Sequence, residues 1–379
     1  MKKMLGIFSV LFLLVSMTGC GNENSTTQTG NTSTNTNEMP APHAGGPIVQ
    51  PAQALTGPGS SDYKHKNVIE SSGGSGPDAW FTFEPSNPKP ASAPLVVITH
   101  GYFEFAGYAS MHELIMHTVK KGNVVIYTRW QTTPVTPCPG PFNIEPCIQS
   151  NVNGIKGGIA HLMTNPGRVR PELDKTSYFG FSFGGIVTTN MLNRWSQLGV
   201  PMPRAVFLDD PHDGGYAGFG EPALDDDLSG IPAATLFQCH SSENGVTSET
   251  TNVDFGAALG LRPAGIVGSK ALGSCNALFP KLKHIPEPNK DLVMIFADDH
   301  GRPALESPHG VCTANPGKAD AYDYNFCWKV FDAMRSCALE GKDCEYALGN
   351  TTEHRSNGSW SDGTPIKALK IQDTAPVLP

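Results

Sequence analysis

No stretch of this 379-residue sequence is both long and apolar enough to cross a bilayer as a helix. The longest greasy segment, Leu5 to Met17, has thirteen residues, whereas a hydrocarbon core of ~30 Å needs about 20. Charge is scarce, at 16 % of residues, and basic charge scarcer still. The 27 Lys and Arg stand against 35 Asp and Glu, a net charge of −8, or −10 without Lys2 and Lys3. So acidic a chain is poorly suited to a phosphate backbone, which excludes nucleic-acid binding as its main activity. Also lacking is any Cys-x-x-Cys or paired His/Cys spacing, and with it the usual sequence sign of zinc; the reading assigns no metal. Apolar residues, by contrast, make up 39 % of the chain. That is enough to form a core, and the length suits one large domain or two small ones.

Lys2-Lys3, the apolar stretch and then Thr18-Gly19-Cys20 read as a signal peptide over residues 1–19, with small residues at the cleavage point. Met17-Thr18-Gly19-Cys20 resembles a bacterial lipobox, which implies that Cys20 becomes the lipid-bearing first residue and anchors the chain to membrane lipid outside the cytoplasm. Residues 20–60 are rich in Ser, Thr, Asn, Gly and Pro. They bury too little to offset their chain entropy, so a flexible tether is expected there. Setting Cys20 aside leaves eight of the nine cysteines. An even number outside the cytoplasm favours four disulfides, drawn from 105 possible connectivities; pairing of near neighbours in chain order is the expectation.

From Lys66 onward, apolar runs bounded by turn residues recur. Asn67–Glu70 and Ala79–Phe83 read as opening antiparallel strands. Leu95–Thr99 is a continuous apolar run, the pattern of a strand buried on both faces, and it ends in His100-Gly101. Strands are also expected at Asn123–Tyr127, Ser177–Gly180, Ala205–Leu208, Ala234–Phe237 and Leu292–Phe296. Helices are expected at Met111–Lys121, Val152–Thr164, Ile186–Leu198 and Ala319–Leu339. Strands alternating with helices imply a mostly parallel sheet with helices on both faces. One α/β domain over 61–349 is the economical arrangement, followed by a C-terminal tail, 350–379, of undetermined structure.

Gly180-Phe181-Ser182-Phe183-Gly184-Gly185 sits between an expected buried strand and an expected helix. Gly-x-Ser-x-Gly alone is a weak signal, but that setting is the one a nucleophile elbow requires. A tight turn there projects the Ser182 hydroxyl clear of the backbone. It also leaves the Phe183 amide at a helix N-terminus, where N–H groups lack partners and favour negative charge. The plain alternative is a glycine-rich turn whose serine merely caps the helix. His100-Gly101-Tyr102-Phe103 follows a buried strand upstream, where this architecture draws its other oxyanion N–H. Tyr102 is the expected donor, with His100 packed under the loop. Tyr102, Phe103, Phe105, Phe181 and Phe183 are candidates for an apolar acyl-binding wall. Asp225-Asp226-Asp227 reads as a solvated acidic turn rather than a cation site.

Together with Leu208-Asp209-Asp210-Pro211-His212-Asp213-Gly214, these motifs resemble the α/β-hydrolase-fold serine esterases, particularly the group of chlorophyllases, cutinase-like polyester hydrolases and platelet-activating-factor acetylhydrolases. The resemblance covers roughly residues 67–334. It departs at Phe181, where these families usually have His. It implies an α/β-hydrolase fold and hydrolysis of an ester substrate by a Ser-His-Asp triad through an acyl-enzyme, with no cofactor. The family's acid-bearing Asp-Pro turn matches Asp210-Pro211, so Asp210 is the expected acid, with Asp209, Asp213 and Glu243 as alternatives. The stretch from His309 to Gly317 is similar to the catalytic-His loop of polyester hydrolases, which implies His309 as base; His300, at the end of the last long strand, is the alternative. The order Ser…Asp…His is the one this fold uses. Two other functions fit the same sequence: a non-catalytic extracytoplasmic binding lipoprotein that keeps the fold, and an amide or peptide hydrolase.

Overall fold

The computed structural model describes residues 46–102, 104–138, 143–211, 224–242 and 275–372. Nine strands form one sheet: β1 (Asn67–Gly73), β2 (Trp80–Ser86), β3 (Ser92–Thr99), β4 (Val124–Thr128), β5 (Arg170–Phe181), β6 (Pro203–Asp209), β7 (Leu236–Ser242), β8 (Lys290–Ile295) and β9 (Lys370–Gln372). Their order is β1-β2-β4-β3-β5-β6-β7-β8-β9. Strands β3 to β8 run parallel to one another; the β1–β2, β2–β4 and β8–β9 pairs are antiparallel. The principal helices are α1 (His112–Lys120), α2 (Glu145–Thr164), α3 (Phe183–Asn193) and α4 (Lys329–Glu340).

The alternation of side chains along a strand explains why β3 is apolar throughout. Leu95 and Val97 meet Ile148, Val152 and Ile155 of α2 and Ile186 and Val187 of α3 on one face. Val96 and Ile98 meet Leu114, Ile115 and Val119 of α1 and Val330, Phe331 and Met334 of α4 on the other. A mostly parallel sheet covered on both faces, with a strand–Ser–helix turn after the central strand β5, is the α/β-hydrolase fold that the sequence implied.

The eight described cysteines pair in chain order, as Cys138–Cys147, Cys239–Cys275, Cys312–Cys327 and Cys337–Cys344. Such a set fits an oxidising compartment. No described helix is long and apolar enough to cross a membrane.

Several expected boundaries move. Helix α2 begins at Glu145 rather than Val152, with Pro146 in its first turn, a position that proline suits. The expected helix over 186–198 is two pieces, because Arg194 leaves helical geometry (φ −117°) before a further turn, Trp195–Leu198. Residues 46–60, expected as the end of the tether, lie hydrogen-bonded along the body. Arg302 N donates to Ile48 O at 2.8 Å, Val49 N to Ser361 Oγ at 3.0 Å, and Gly59 N to Asp332 Oδ2 at 2.9 Å. The body also runs past Gly349, for β9 completes the sheet and Trp360, Ile366 and Leu369 are buried. Both corrections have one cause: segments with few apolar residues are held here by backbone hydrogen bonds and a handful of large anchors. Cys20, and residues 1–45 generally, lie outside the described residues.

Candidate active site

β5 delivers the chain to Ser182, which stands at φ +52°, ψ −128°. For a residue with a Cβ that is a strained conformation, costing of the order of 1–3 kcal/mol. The turn is held by Ser182 N donating to Asp209 O at 2.9 Å and Gly185 N donating to Ser182 O at 2.9 Å. Its glycines are required by close approach. A Cβ on Gly184 would stand 2.0 Å from His100 O, and one on Gly180 would stand 2.9 Å from Gly185 Cα. The Ser182 side chain does not cap α3. Its Oγ lies instead 2.8 Å from Nε2 of His309.

His309 comes from the loop between β8 and α4. Its ring packs on Phe181 with centroids 5.1 Å apart, and its Nδ1 is 3.7 Å from Asp210 Oδ2. That separation is within ion-pair range but longer than a hydrogen bond; such contacts are often loose without substrate and tighten when it binds. Desolvation pushes the imidazole down to about 4, and the charge of Glu104 opposes the fall. With 35 % of its side chain open to solvent, water also works against so large a shift. The sign is that of a neutral imidazole, able to accept a proton.

Asp210 follows β6 at φ +44° and is nearly buried, at 3 % exposure. Its carboxylate accepts from Ser242 N at 2.7 Å, Ser242 Oγ at 2.5 Å and Gly310 N at 3.1 Å. The last of these bonds ties Asp210 to the loop that bears His309. Asp209, one residue earlier, points elsewhere: its Oδ2 accepts from Cys312 N at 3.2 Å and its Oδ1 lies 3.5 Å from His240 Nδ1. Burial, and then the neighbouring Asp210 charge, raise its carboxyl well above the usual range. His300 is engaged with Asp362 at 2.8 Å. Asp213 and Glu243 lie outside the described residues, as does Phe103.

The upstream loop closes the other side. His100 is buried, its Nδ1 2.7 Å from Gly101 O and its Nε2 2.7 Å from Arg129 O. Tyr102 packs edge-on against Phe183, with centroids 5.5 Å apart, and its hydroxyl donates to Pro134 O. Phe183 opens α3, so its amide belongs to the first, unpartnered turn of that helix. Asp225 accepts from Asn193 Nδ2, Asp226 faces Lys281, and Asp227 accepts from Ser229; each carboxylate of the acidic turn has a partner. Among the described residues, Asp209, His240 and Cys312 are the group close enough to share a metal ion, but the Cys312 sulfur is committed to its disulfide.

Two contributors carry no motif. Ser242 orients Asp210, and its signal, a polar residue ending a buried strand, is visible only once β7 is placed. Glu104 lies three residues past Gly101, whose N–H it accepts at 2.9 Å.

No protein-family model matches the chain, and no curated protein sequence matches it. Solved structures that match include one from a structural analysis of two fungal esterases from Rhizomucor miehei (12 % identity, TM-score 0.35, 48 % of this chain and 66 % of that one). A tributyrin phosphonate-inhibited crystal structure of esterase B from Lactobacillus rhamnosis matches at 16 % identity and TM-score 0.35, over 48 % of this chain and 67 % of that one. A further structure of esterase B matches at 17 % identity and TM-score 0.35, over 47 % and 67 %. The chain thus spans slightly less than two thirds of the fungal enzyme's length.

Proposed function

We propose that this chain hydrolyses carboxylic esters through an acyl-enzyme. The observation that carries the reading is the 2.8 Å approach of Ser182 Oγ to His309 Nε2, at a strained turn where the hydroxyl has no capping duty. His309 takes the hydroxyl proton as Oγ attacks the ester carbonyl. Asp210 steadies the resulting imidazolium. The amides of Tyr102 and Phe183 receive the negative charge that gathers on the carbonyl oxygen, and one such donor is worth about 2.7–4 kcal/mol of barrier. The tetrahedral intermediate collapses as His309 returns the proton to the leaving alkoxide. Water, deprotonated by the same imidazole, then releases the acid and restores Ser182. Every step uses side chains and amides of this chain.

Replacing Ser182 with Ala abolishes turnover of a short-chain nitrophenyl ester while circular dichroism stays native. A Ser182→Ala protein that keeps its turnover refutes the proposal. Labelling of the native chain at Ser182 by a phosphonate or sulfonyl fluoride distinguishes an enzyme from a binding lipoprotein of the same fold. Matched ester and amide substrates distinguish the esterase from a peptidase. Acylation of Cys20, and with it attachment to membrane lipid, belongs to the same proposal. Mass spectrometry of the mature N-terminus tests it, and an unmodified terminus elsewhere excludes it.

A further inference from the structure

We propose that Glu104 is a positioning residue for the oxyanion hole, fastening by its carboxylate and its backbone the loop that carries the Tyr102 amide. The inference rests on the Ser182–His309 reading above and deepens it. Gly101 joins two peptide planes; the first is held at both of its polar groups and the second at its carbonyl. In the His100–Gly101 plane, Gly101 N–H donates to Glu104 Oε2 at 2.9 Å, and the His100 carbonyl accepts from Trp130 Nε1 at 3.1 Å. In the Gly101–Tyr102 plane, the Gly101 carbonyl accepts from the Glu104 backbone N–H at 3.4 Å and lies 2.7 Å from His100 Nδ1. The C=O and N–H of a trans peptide point in opposite directions. Holding the Gly101 carbonyl inward therefore turns the Tyr102 N–H away from Glu104 and the His100 ring.

The tolerance for error is small. A Cβ at position 101 would stand 2.7 Å from two Phe181 ring carbons and 3.2 Å from Ser182 Cβ. The loop lies directly against the elbow, so a shift of the loop moves the Tyr102 amide relative to Ser182. Glu104 also brings charge. Among the described residues, Asp210 at the end of β6 lies 3.7 Å from the His309 imidazole, the charge of Glu104 on this loop also acts on that ring, and Asp209 adjoins Asp210 in the chain. Phe181 and Gly310 contribute none, and Glu306 on the imidazole's own loop is exposed. The Glu104 carboxylate favours the imidazolium, opposing desolvation.

The test compares the full chain with its Glu104→Ala, Glu104→Gln and Ser182→Ala variants on a short-chain nitrophenyl ester across pH, with a melting curve for each. Glu104→Ala lowers kcat by about 10–100-fold with KM within about twofold, approaching the effect of losing one oxyanion donor. Glu104→Gln still accepts the Gly101 N–H and recovers most of kcat. Having lost the charge, it moves the acidic limb of kcat/KM to lower pH by up to about 1 unit. An unchanged kcat in Glu104→Ala overturns the inference, as does an acidic limb in Glu104→Gln that stays where the native chain has it. Should Glu104→Ala fail to fold, the Glu104→Gln limb alone decides. Turnover surviving in Ser182→Ala overturns the underlying esterase reading instead, whatever the Glu104 variants do.

Discussion

Gly184 lies in the first turn of α3, where alanine ordinarily helps: helix propensity favours Ala over Gly by about 1 kcal/mol. The surroundings reverse that sign. A Cβ at 184 would stand 2.0 Å from His100 O, 2.7 Å from Thr99 O and 2.8 Å from the His100 carbonyl carbon. All three are backbone atoms at the end of β3, so no side-chain rotation relieves the overlap. Restoring ordinary contact, near 3.5 Å, means moving the start of α3 away from β3 by about 1 Å or more. Overpacking of this kind costs about 1–3 kcal/mol, which outweighs or cancels the propensity gain. The larger effect is on rate. The same shift carries Ser182 and the Phe183 amide away from the 101–104 loop, and a misplacement near 1 Å can cost about 100-fold. Gly184→Ala is therefore expected to melt no higher than the native chain and to lose kcat by about two orders of magnitude. Gly185→Ala, whose Cβ would meet Pro211 Cβ at 2.9 Å and Pro211 Cα at 3.2 Å, is milder because the overlap to be relieved is smaller. Gly46→Ala, with nothing within 4 Å, is the neutral control. The assays are a thermal melt and nitrophenyl ester turnover. A Gly184→Ala chain that melts higher than native and keeps its kcat refutes the reasoning.

Three further outcomes follow from named contacts. Asp210→Asn presents an NH2 group to a carboxylate site where Ser242 N, Ser242 Oγ and Gly310 N all donate. Steady-state kinetics should show kcat lower by about 10³–10⁴-fold, as when a triad acid becomes an amide; near-native turnover would assign the acid to another residue. Lys329 Nζ donates to the carbonyls of Glu353, His354 and Ser356 at 3.0, 3.1 and 2.5 Å. Lys329→Met strands one buried and two part-buried acceptors, about 3 kcal/mol in all, so the melting temperature should fall by roughly 6–12 °C, and an unchanged melt would deny the clamp. Ending the chain at Gly349 removes Trp360, Ile366, Leu369 and Ile371 from the core and bares β8. At about 1.5–3 kcal/mol per buried side chain, the loss of roughly 6–12 kcal/mol rivals the whole stability of a domain. A cooperative unfolding transition in that shortened chain would show the segment to be dispensable.

Local sequence was informative wherever one physical requirement dominated a stretch. Burial on both faces makes Leu95–Thr99 a continuous apolar run, and β3 lies there. Close passage of strand and helix demands glycines at 180, 184 and 185, so the elbow around Ser182 could be read from its residues. The parallel sheet and its helical cover followed from the alternation of such runs. β7 shows the limit. Apolarity alone suggested a strand at Ala234–Phe237, but the strand is Leu236–Ser242, and its second half is polar because it serves the site: His240 lies beside Asp209, and Ser242 holds Asp210. Residues 46–60 and 350–372 escaped for a similar reason, since backbone hydrogen bonds to distant partners leave no periodic trace.

The sequence by itself determined the turn that bears Ser182, the class of sheet and the short set of acids and bases from which the proposed triad is drawn. Which members meet was decided in three dimensions. His300 and His309 are nine residues apart on one loop region, yet one engages Asp362 and the other Ser182. Asp209 and Asp210 are adjacent and both bond to the His309 loop, yet only the second, at positive φ, brings its carboxylate to the imidazole itself, while Asp209 accepts from Cys312 N. Residue type limits which atoms can exchange a proton, but the exchange needs contact within about 3 Å, and contacts between residues more than a hundred positions apart are set by how sheet and loops pack.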